Sequence, residues 1–243
     1  MWPTPATDHI GQIATMVDCR IRRNRVVGCP SRKVPSKCSL IRHAIWETRL
    51  TSRSRRDQIL HRAGVLFASR GVAGTTVREI ADDVGILSGS LYHHFESKEA
   101  MVDEILSVYL ADLRSRYQQV LADSCAPQQQ LRQLIRASLE VAAAHPHATE
   151  IHQKDANYLR ALPRFGYLKA VARELDGVWL SVIEAGRQDG SLRSDVDPKT
   201  FHRLTRDAIW LTVRWFKPGS KYSLNRLVAD CTAVFLDGVS TRV

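Results

Sequence analysis

The sequence predicts an all-α protein, and three features of the chain carry this prediction. Apolar residues recur at helical spacing from Ser54 onward, and the strict apolar–polar alternation that marks β-strands is nearly absent. Prolines stand at or near the starts of later helical segments, at Pro127, Pro163 and Pro198, where a missing amide proton costs little. We therefore expect a small N-terminal helical domain followed by a larger helical domain.

The first 52 residues form a basic segment that we expect to be disordered. They hold nine Lys and Arg against three Asp and Glu, and so carry +6 of the formal net charge of +10. No apolar period is sustained in them, so little burial offsets the entropy of ordering. Two interpretations remain open, a basic arm that attracts phosphate or a dispensable extension from a start site placed too early. The second is favoured, because no defined patch is visible.

Composition argues against several other classes of protein. The five cysteines form no CxxC pair, and no apolar run is long enough to span a bilayer, so we expect a cytoplasmic protein that does not enter a membrane. A metal site at His145, His147, His152 and Asp155 is disfavoured, because no complete ligand set is visible. No catalytic constellation or cofactor motif appears, so we expect neither an enzyme nor a bound cofactor.

Residues 53–99 predict a three-helix unit that contains a helix-turn-helix. The first helix ends at Gly71, a suitable residue for a C-terminal cap. Thr76, with a glutamate three residues later, fits a capping box that starts the second helix. Gly85 ends that helix after about two turns, and a further short helix is expected over residues 88–95. Two short helices about a glycine turn are typical of a unit that reads DNA.

The candidate DNA contacts lie in and beside the last of these helices. Small residues at its start would let the backbone approach the major groove, and polar residues after it would hold phosphates. The candidates are Thr76, Arg78, Ser88, Gly89, Ser90, Leu91, Tyr92, His93, His94 and Lys98. Core packing is the favoured interpretation for Leu91, whereas His94 is balanced between a core hydrogen bond and a phosphate contact. Lys98 is expected to bind phosphate beside the start of the fourth helix.

The helix that begins at Pro198 is predicted to have two distinct faces. Its expected packing face consists of Phe201, Leu204, Ala208, Leu211 and Trp215. A second face gathers Arg203, Arg206, Trp210, Arg214 and Lys217. Four cations around a tryptophan suit a ligand with phosphates and a flat or apolar body, such as a coenzyme A (CoA) thioester. The alternative is a solvated face with Trp210 covered by arginines, which periodicity alone favours.

Residues 75–99 resemble the N-terminal pattern of the TetR family of repressors, TTxxIAxxxGxxxGxLYxHFxSKExL. The matching positions are Thr75, Thr76, Ile80, Ala81, Gly85, Gly89, Leu91, Tyr92, His94, Phe95, Ser97, Lys98 and Glu99. The resemblance implies a TetR-like architecture, with a three-helix DNA-binding domain over 53–99 and a larger helical ligand-binding and dimerisation domain over 100–243. It further implies a homodimer on double-stranded operator DNA. Leu87 departs from the family, which commonly has Ser or Thr there as N-cap, and we expect Ser88 to take over the cap.

Three longer pieces resemble a branch of the family, the actinobacterial repressors of genes that degrade the last steroid rings of cholesterol. The pieces are GILSGSLYHHFxSKExMVDEIL from Gly85, PRFxYL from Pro163 and RDxxWxxVRWFxPG from Arg206. The resemblance implies release by a steroid-derived CoA thioester. The implied ligand-binding residues are Arg206, Trp210, Arg214, Arg164, Phe165 and Tyr167. Dimerisation is implied through helices 198–216 and 223–239, with apolar surface from Leu224, Leu227, Val228, Val234, Phe235 and Leu236. A different inducer, or constitutive DNA binding, remains the alternative.

Overall fold

The computed structural model describes residues 54–217, 219 and 221–239, and their regular structure is entirely helical, as the sequence predicts. The basic segment 1–52, expected to be disordered, lies outside these residues. The α-helices are α1 Arg55–Arg70, α2 Val77–Val84, α3 Ser88–Leu91, α4 Lys98–Ala122, α5 Pro127–Ala144, α6 Pro146–Lys154, α7 Ala156–Arg160, α8 Leu168–Gln188, α9 Pro198–Leu211 and α10 Leu224–Val239. Two 3₁₀ turns, Pro163–Phe165 and Thr212–Arg214, follow α7 and α9. Within the described ranges, no helix is long and apolar enough to cross a membrane.

Helices α1 and α2 begin and end where local sequence chemistry predicts. The Thr76 hydroxyl accepts a hydrogen bond from the Glu79 amide at 3.2 Å, and the Glu79 carboxylate accepts one from the Thr76 amide at 2.8 Å. This reciprocal capping box satisfies two amides that have no partner inside the helix. Gly71 and Gly85 end the two helices with φ of +82° and +73°, a region that favours glycine. The predicted capping box and both glycine ends are confirmed.

Helix α3 differs from its prediction in length and in its cap. It ends at Leu91 and continues as a turn, whereas a helix to about Phe95 was expected. The predicted cap by Ser88 is wrong, because Ser88 is already the first helical residue. Leu87 occupies the N-cap position and gives no side-chain hydrogen bond to the helix. The helix is therefore held by burial of Leu91 and by its neighbours rather than by capping.

The long helix α4 is the common support of the described fold. It packs against α1, α5, α6 and α8, while α5 in turn packs against α8, α9 and α10. At its start α4 buries Met101 and Val102 in the same core as the first three helices, and further on it buries Tyr109 and Leu113. One continuous apolar core thus runs from the helix-turn-helix into the larger helical part.

The helical stretch from Pro146 to Arg160 is interrupted at Asp155, between α6 and α7. The buried Asp155 carboxylate accepts a hydrogen bond from the Val72 amide at 3.1 Å. The neighbouring Lys154 ammonium donates to the Ala68 carbonyl at 2.7 Å. Hydrogen bonds that involve a charged group are stronger than neutral ones, so the α6–α7 junction grips the C-terminal end of α1.

The predicted packing face of α9 is wrong for all but one residue. Phe201 is buried, but Leu204 and Trp215 are 64% and 57% exposed, and Ala208 and Leu211 are exposed as well. Helix α9 instead turns a more polar face inward, which consists of His202, Thr205 and Ile209 with Phe201. Periodicity locates an apolar stripe but does not decide whether the same chain covers it.

Helix α10 also differs from the surface expected of it. Leu227, Val228 and Leu236 are buried inside the chain, so they are not available as apolar surface for dimerisation. Val234 is 70% exposed and is the large apolar residue that α10 presents outward. The buried residues pack largely on α5, which contacts α10 extensively.

Two glycines of α8 provide a matched test of this packing. A β-carbon at Gly186 would lie 2.6 Å from the Leu192 side chain, which is buried, whereas one at Gly177 would meet nothing within 4 Å. We expect Gly186→Ala to lower the free energy of unfolding by about 1–3 kcal/mol through overpacking. Gly177→Ala should raise it by up to about 1 kcal/mol, because alanine loses less entropy in a helix. Urea denaturation of both variants measures the difference, and equal effects would contradict this packing.

Candidate nucleic-acid interface and ligand cavity

The predicted DNA contacts around α3 separate into an exposed surface and a buried support. Gly89, Ser90, Tyr92 and His93 are exposed, and Ser88 and His94 are partly buried. Leu91 is fully buried in the core, which confirms the core packing favoured for it, so its side chain is not available at the surface for DNA. A large apolar side chain in so small a helical unit is better placed in its core than in water. The exposed set forms one small, polar surface at α3.

The start of α2 adds a cation to this part of the molecule. The Arg78 side chain is 86% exposed, and its nearest carboxylate, that of Asp82, is 3.9 Å away and itself exposed. Such an ion pair contributes little and leaves the guanidinium free to bind phosphate. Thr76 is exposed, although its hydroxyl is held by Glu79 in the capping box. Arg78 is therefore the better placed of these two predicted contacts.

Lys98 does not occupy the position predicted for a phosphate clamp. Its ammonium donates to the carbonyl oxygens of Val72 and Thr75, at 2.8 and 3.0 Å, and is partly buried. Two of its three donors therefore tie the start of α4 to the loop between α1 and α2. The sequence predicted that Lys98 binds phosphate, whereas in the structure two backbone carbonyls hold its ammonium.

Neither close packing nor the backbone conformation requires a glycine at position 89 within the described residues. A β-carbon there would meet nothing within 4 Å, and its φ does not lie in the left-handed region. Glycine in a helix costs about 0.5–1 kcal/mol relative to alanine. The missing side chain therefore leaves space at the surface beside Ser90 for something outside the chain.

A cavity of about 450 Å³ lies among α4, α6, α7, α8 and α9. Its apolar and aromatic wall includes Leu113, Leu175 and Trp179, and its polar wall includes three arginines, Arg160, Arg206 and Arg214. This volume lies in the range of small-molecule sites, which combine an apolar lining with a few placed polar groups. The cavity can thus receive a ligand that is apolar at one end and anionic at the other.

Three of the six predicted ligand residues line this cavity, and they are Arg206, Trp210 and Arg214. The other three lie outside its lining. Phe165 is fully buried in the core, and Arg164 forms ion pairs with Glu96 and Asp103. The Tyr167 hydroxyl donates to Asp103 at 2.7 Å. The structure does not bring these three residues to the described cavity, because Phe165 is buried in the core and the polar groups of Arg164 and Tyr167 pair with Asp103 on α4.

The arginines of the cavity differ in the charges that balance them. Arg206 contacts the Asp207 carboxylate at 3.1 Å and the Asp176 carboxylate at 3.4 Å. Arg160 and Arg214 form no ion pair with any carboxylate of the described residues. An unbalanced pair of cations at one cavity raises the local potential and attracts anions.

Sequence reasoning missed Arg160 and Asp176 as cavity residues. Arg160 is brought to the cavity by the packing of α7, for which the sequence pattern gave no signal. The carboxylate of Asp176 lies on α8, and only tertiary packing brings it to Arg206 on α9. Trp210, for which cation–π covering was the alternative, packs edge-on against Tyr109 at 5.9 Å.

The interior of the cavity is organised by hydrogen bonds around Tyr117. Its hydroxyl accepts from the Trp179 indole at 2.9 Å and lies 2.6 Å from the Ser138 hydroxyl. Ser138 donates its own proton to the Leu134 carbonyl, so Tyr117 is the donor in that pair. Burial raises the pKa of Tyr117 to about 12, which keeps the hydroxyl neutral. This side of the cavity is rigid and uncharged.

The histidines considered as a metal site point in different directions. The His145 ring nitrogen lies 3.1 Å from Asp112, His147 packs edge-on against His61, and His152 lines the cavity. Asp155, as described above, holds the Val72 amide. No group of three metal-ligating side chains gathers anywhere in the part of the chain that the structure describes.

His152 is expected to make stability depend on pH. Burial, together with the positive charges of Arg160 and Arg206, lowers its pKa from 6.5 to about 4. Between about pH 6.5 and about pH 4, His152 is protonated in the unfolded chain but stays neutral in the folded chain. The free energy of unfolding therefore decreases as the pH falls through this range. His152→Gln should reduce the slope of unfolding free energy against pH in this window by up to one proton per chain.

Urea denaturation between pH 7 and pH 4 measures that slope, since the expected window lies between about 6.5 and about 4. His93→Gln is the matched control, because His93 is exposed and its replacement should keep the slope of the unaltered protein. Equal slopes for His152→Gln and the unaltered protein would contradict the assignment.

Comparison with known proteins agrees with this arrangement. Residues 59–105 match the bacterial regulatory proteins of the tetR family, and residues 124–239 match the tetracyclin repressor-like C-terminal domain. The HTH-type transcriptional repressor KstR2 of Rhodococcus jostii (strain RHA1) is 43% identical over 187 residues. The matched region covers 77% of this chain and 92% of that repressor.

Solved structures give the same result. The structure of ketosteroid transcriptional regulator KstR2 of Mycobacterium tuberculosis matches with a TM-score of 0.74 and 38% identity, covering 78% of this chain and 97% of that one. AibR in complex with isovaleryl coenzyme A and operator DNA matches with a TM-score of 0.64 and 20% identity, covering 75% and 99%. The likeness to AibR shows the fold alone.

Proposed function

The chain belongs to the tetR family of bacterial regulatory proteins, which are DNA-binding transcriptional repressors rather than enzymes, and we propose that a metabolite controls its repression. In this proposal a homodimer binds operator DNA and is released by a CoA thioester derived from steroid-ring degradation. Residues 53–99 read the DNA, and residues 100–243 bind the ligand and dimerise.

The observation that carries operator binding is the open surface at Gly89. Gly89 stands in the short helix after the turn of the helix-turn-helix, and without a side chain there DNA can approach the backbone closely. The exposed Ser90, Tyr92 and His93 can donate to bases or phosphates at the same surface, and Arg78 supplies charge from α2. The residues proposed to contact DNA are thus those of the original set that solvent reaches.

Gly89→Ala tests this surface without disturbing the fold. Because a β-carbon there meets nothing within 4 Å, the variant should be as stable as the unaltered protein or slightly more so. Its operator affinity should fall by about tenfold or more, which is about 1.4 kcal/mol. Fluorescence anisotropy on the DNA beside its own gene, mapped first by footprinting, measures this. Gly177→Ala is the control and should bind as the unaltered protein does; undiminished binding by Gly89→Ala would contradict the proposed interface.

A CoA thioester is proposed as the inducer because its chemistry matches both walls of the cavity. Its phosphates would bind the unpaired Arg160 and Arg214, and its acyl group would lie against the aromatic and apolar wall. Steroid-derived acyl groups are proposed because KstR2 of Mycobacterium tuberculosis, 38% identical, is a ketosteroid transcriptional regulator. AibR, of the same fold, holds isovaleryl coenzyme A and operator DNA.

A homodimer is proposed because α9 and α10 leave apolar side chains uncovered. Leu204, Leu211 and Trp215 are exposed on or after α9, and Val234 is exposed on α10. Exposed apolar residues on α9 and α10 favour association with a second copy, which would remove them from water. Two copies would place two reading surfaces about one turn of DNA, roughly 34 Å, or a multiple of it, apart.

Release from DNA is proposed to pass through the junction of α6 and α7. His152 and Gln153 line the cavity, and the next two residues, Lys154 and Asp155, hold the end of α1. A ligand that shifts this junction therefore shifts the helix that leads into the helix-turn-helix. Induction requires only that the ligand bind the shifted state more tightly than the DNA-binding state.

Variants of the cavity arginines are expected to separate ligand response from DNA binding. Arg214→Ala or Arg206→Ala should keep operator affinity and weaken the response to CoA thioesters about 10–100-fold, the loss of one or two charged hydrogen bonds. Release from operator DNA, titrated with CoA thioesters of steroid-ring acids, measures the response. Arg203→Ala is the control, because Arg203 is exposed on the same helix and does not line the cavity.

A normal response in both cavity variants would remove the proposed role of these arginines. A thermal-shift series with the same esters, with acetyl-CoA and with free CoA then decides the inducer class. If none of them stabilises the protein, a different inducer or constitutive DNA binding becomes the better account.

A further inference from the structure

We propose that Leu87 reads a thymine methyl group in the operator, a role that rests on the DNA-binding function proposed above. Leu87 lies in the turn between α2 and α3, and its side chain is 80% exposed. Its neighbour Ile86 packs against the core, so the turn points one apolar residue inward and the next outward. Leu87 is thus exposed two residues before Gly89, where the missing side chain leaves room for DNA.

Leu87 gives no benefit to the fold that would explain a leucine at this position. It stands at the N-cap of α3, where a serine, threonine or aspartate would accept a hydrogen bond from the helix, and it gives none. Replacing a polar cap by an apolar residue costs about 0.5–2 kcal/mol, and the exposed side chain gains nothing from burial. A residue that costs stability at an exposed position indicates a partner outside the chain.

The chemistry of the major groove specifies which partner a leucine can find there. Base edges in that groove present hydrogen-bond donors and acceptors, and the one apolar group among them is the C5-methyl of thymine. A leucine cannot satisfy the polar edges, so placing it against guanine or cytosine would bury them without a partner. Contact with the methyl group therefore favours thymine at this position. The cost of burying polar base edges without a partner disfavours G·C pairs.

Deoxyuridine removes only the methyl group and so tests this contact directly. In the footprinted operator, each thymine is replaced in turn by deoxyuridine, symmetrically in both half-sites, and affinity is measured by anisotropy. At one position the unaltered protein should lose about threefold to fivefold per half-site, the value of one buried methyl group. Leu87→Ala should bind the thymine operator more weakly and should bind both operators equally well.

Two further variants test whether the effect depends on an apolar side chain at this position. Leu87→Met keeps an apolar side chain and should retain most of the preference for thymine over deoxyuridine. Val108→Ala, which removes apolar atoms from another exposed residue on α4, should leave operator affinity and the thymine preference unchanged.

The outcomes separate this proposal from the function on which it rests. If the operator is bound but no deoxyuridine substitution matters, or if Leu87→Ala keeps the same sensitivity, the proposal is overturned while repression stands. If Leu87→Ala binds DNA normally but loses association with another protein, Leu87 is a protein contact and the proposal is again overturned. If the unaltered protein binds no DNA, both proposals fall.

Discussion

The structure depends first on the ammonium of Lys98, where α4 begins. Its hydrogen bonds to the Val72 and Thr75 carbonyls fix the first helical unit to a helix that then runs, buried on one face, into the larger unit. The same helix contributes Tyr109 and Leu113 to the wall of the cavity. Packed helices shift as bodies rather than deform gradually. A movement of the cavity wall on α4 would therefore displace the start of α4 at Lys98.

A second and shorter connection, between the cavity and α1, runs through the α6–α7 junction. Cavity residues and residues that hold α1 are consecutive in the chain at the α6–α7 junction, so no long chain of intermediates separates ligand from reading unit. The two connections meet at Val72, whose amide is held by Asp155 and whose carbonyl is held by Lys98. A residue shared by both connections gives a physical basis for coupling, which distance alone would not.

Local chemistry was predictable from sequence, and placement that depends on distant residues was not. The capping box at Thr76 and the glycine end at Gly85 follow from signals within a few residues, and both are found as predicted. Periodicity and family resemblance together located Arg206, Trp210 and Arg214 at the cavity. Lys98 and Tyr167 were misplaced because their partners lie more than twenty residues away. The apolar stripe of α9 was found correctly but assigned to the wrong side, since sequence does not distinguish the interior of one chain from a surface between two.

The carboxylates that hold Arg206 bear on how strongly an anionic ligand would bind at the cavity. Asp176 and Asp207 compete with a ligand phosphate for the Arg206 guanidinium, so a phosphate that binds this arginine must displace an internal carboxylate. Such competition lowers the affinity for every anionic ligand at Arg206 by the same factor, and so leaves the selectivity among these ligands unchanged. Under the proposed function, such a regulator would respond to its inducer only when the inducer has accumulated above trace amounts.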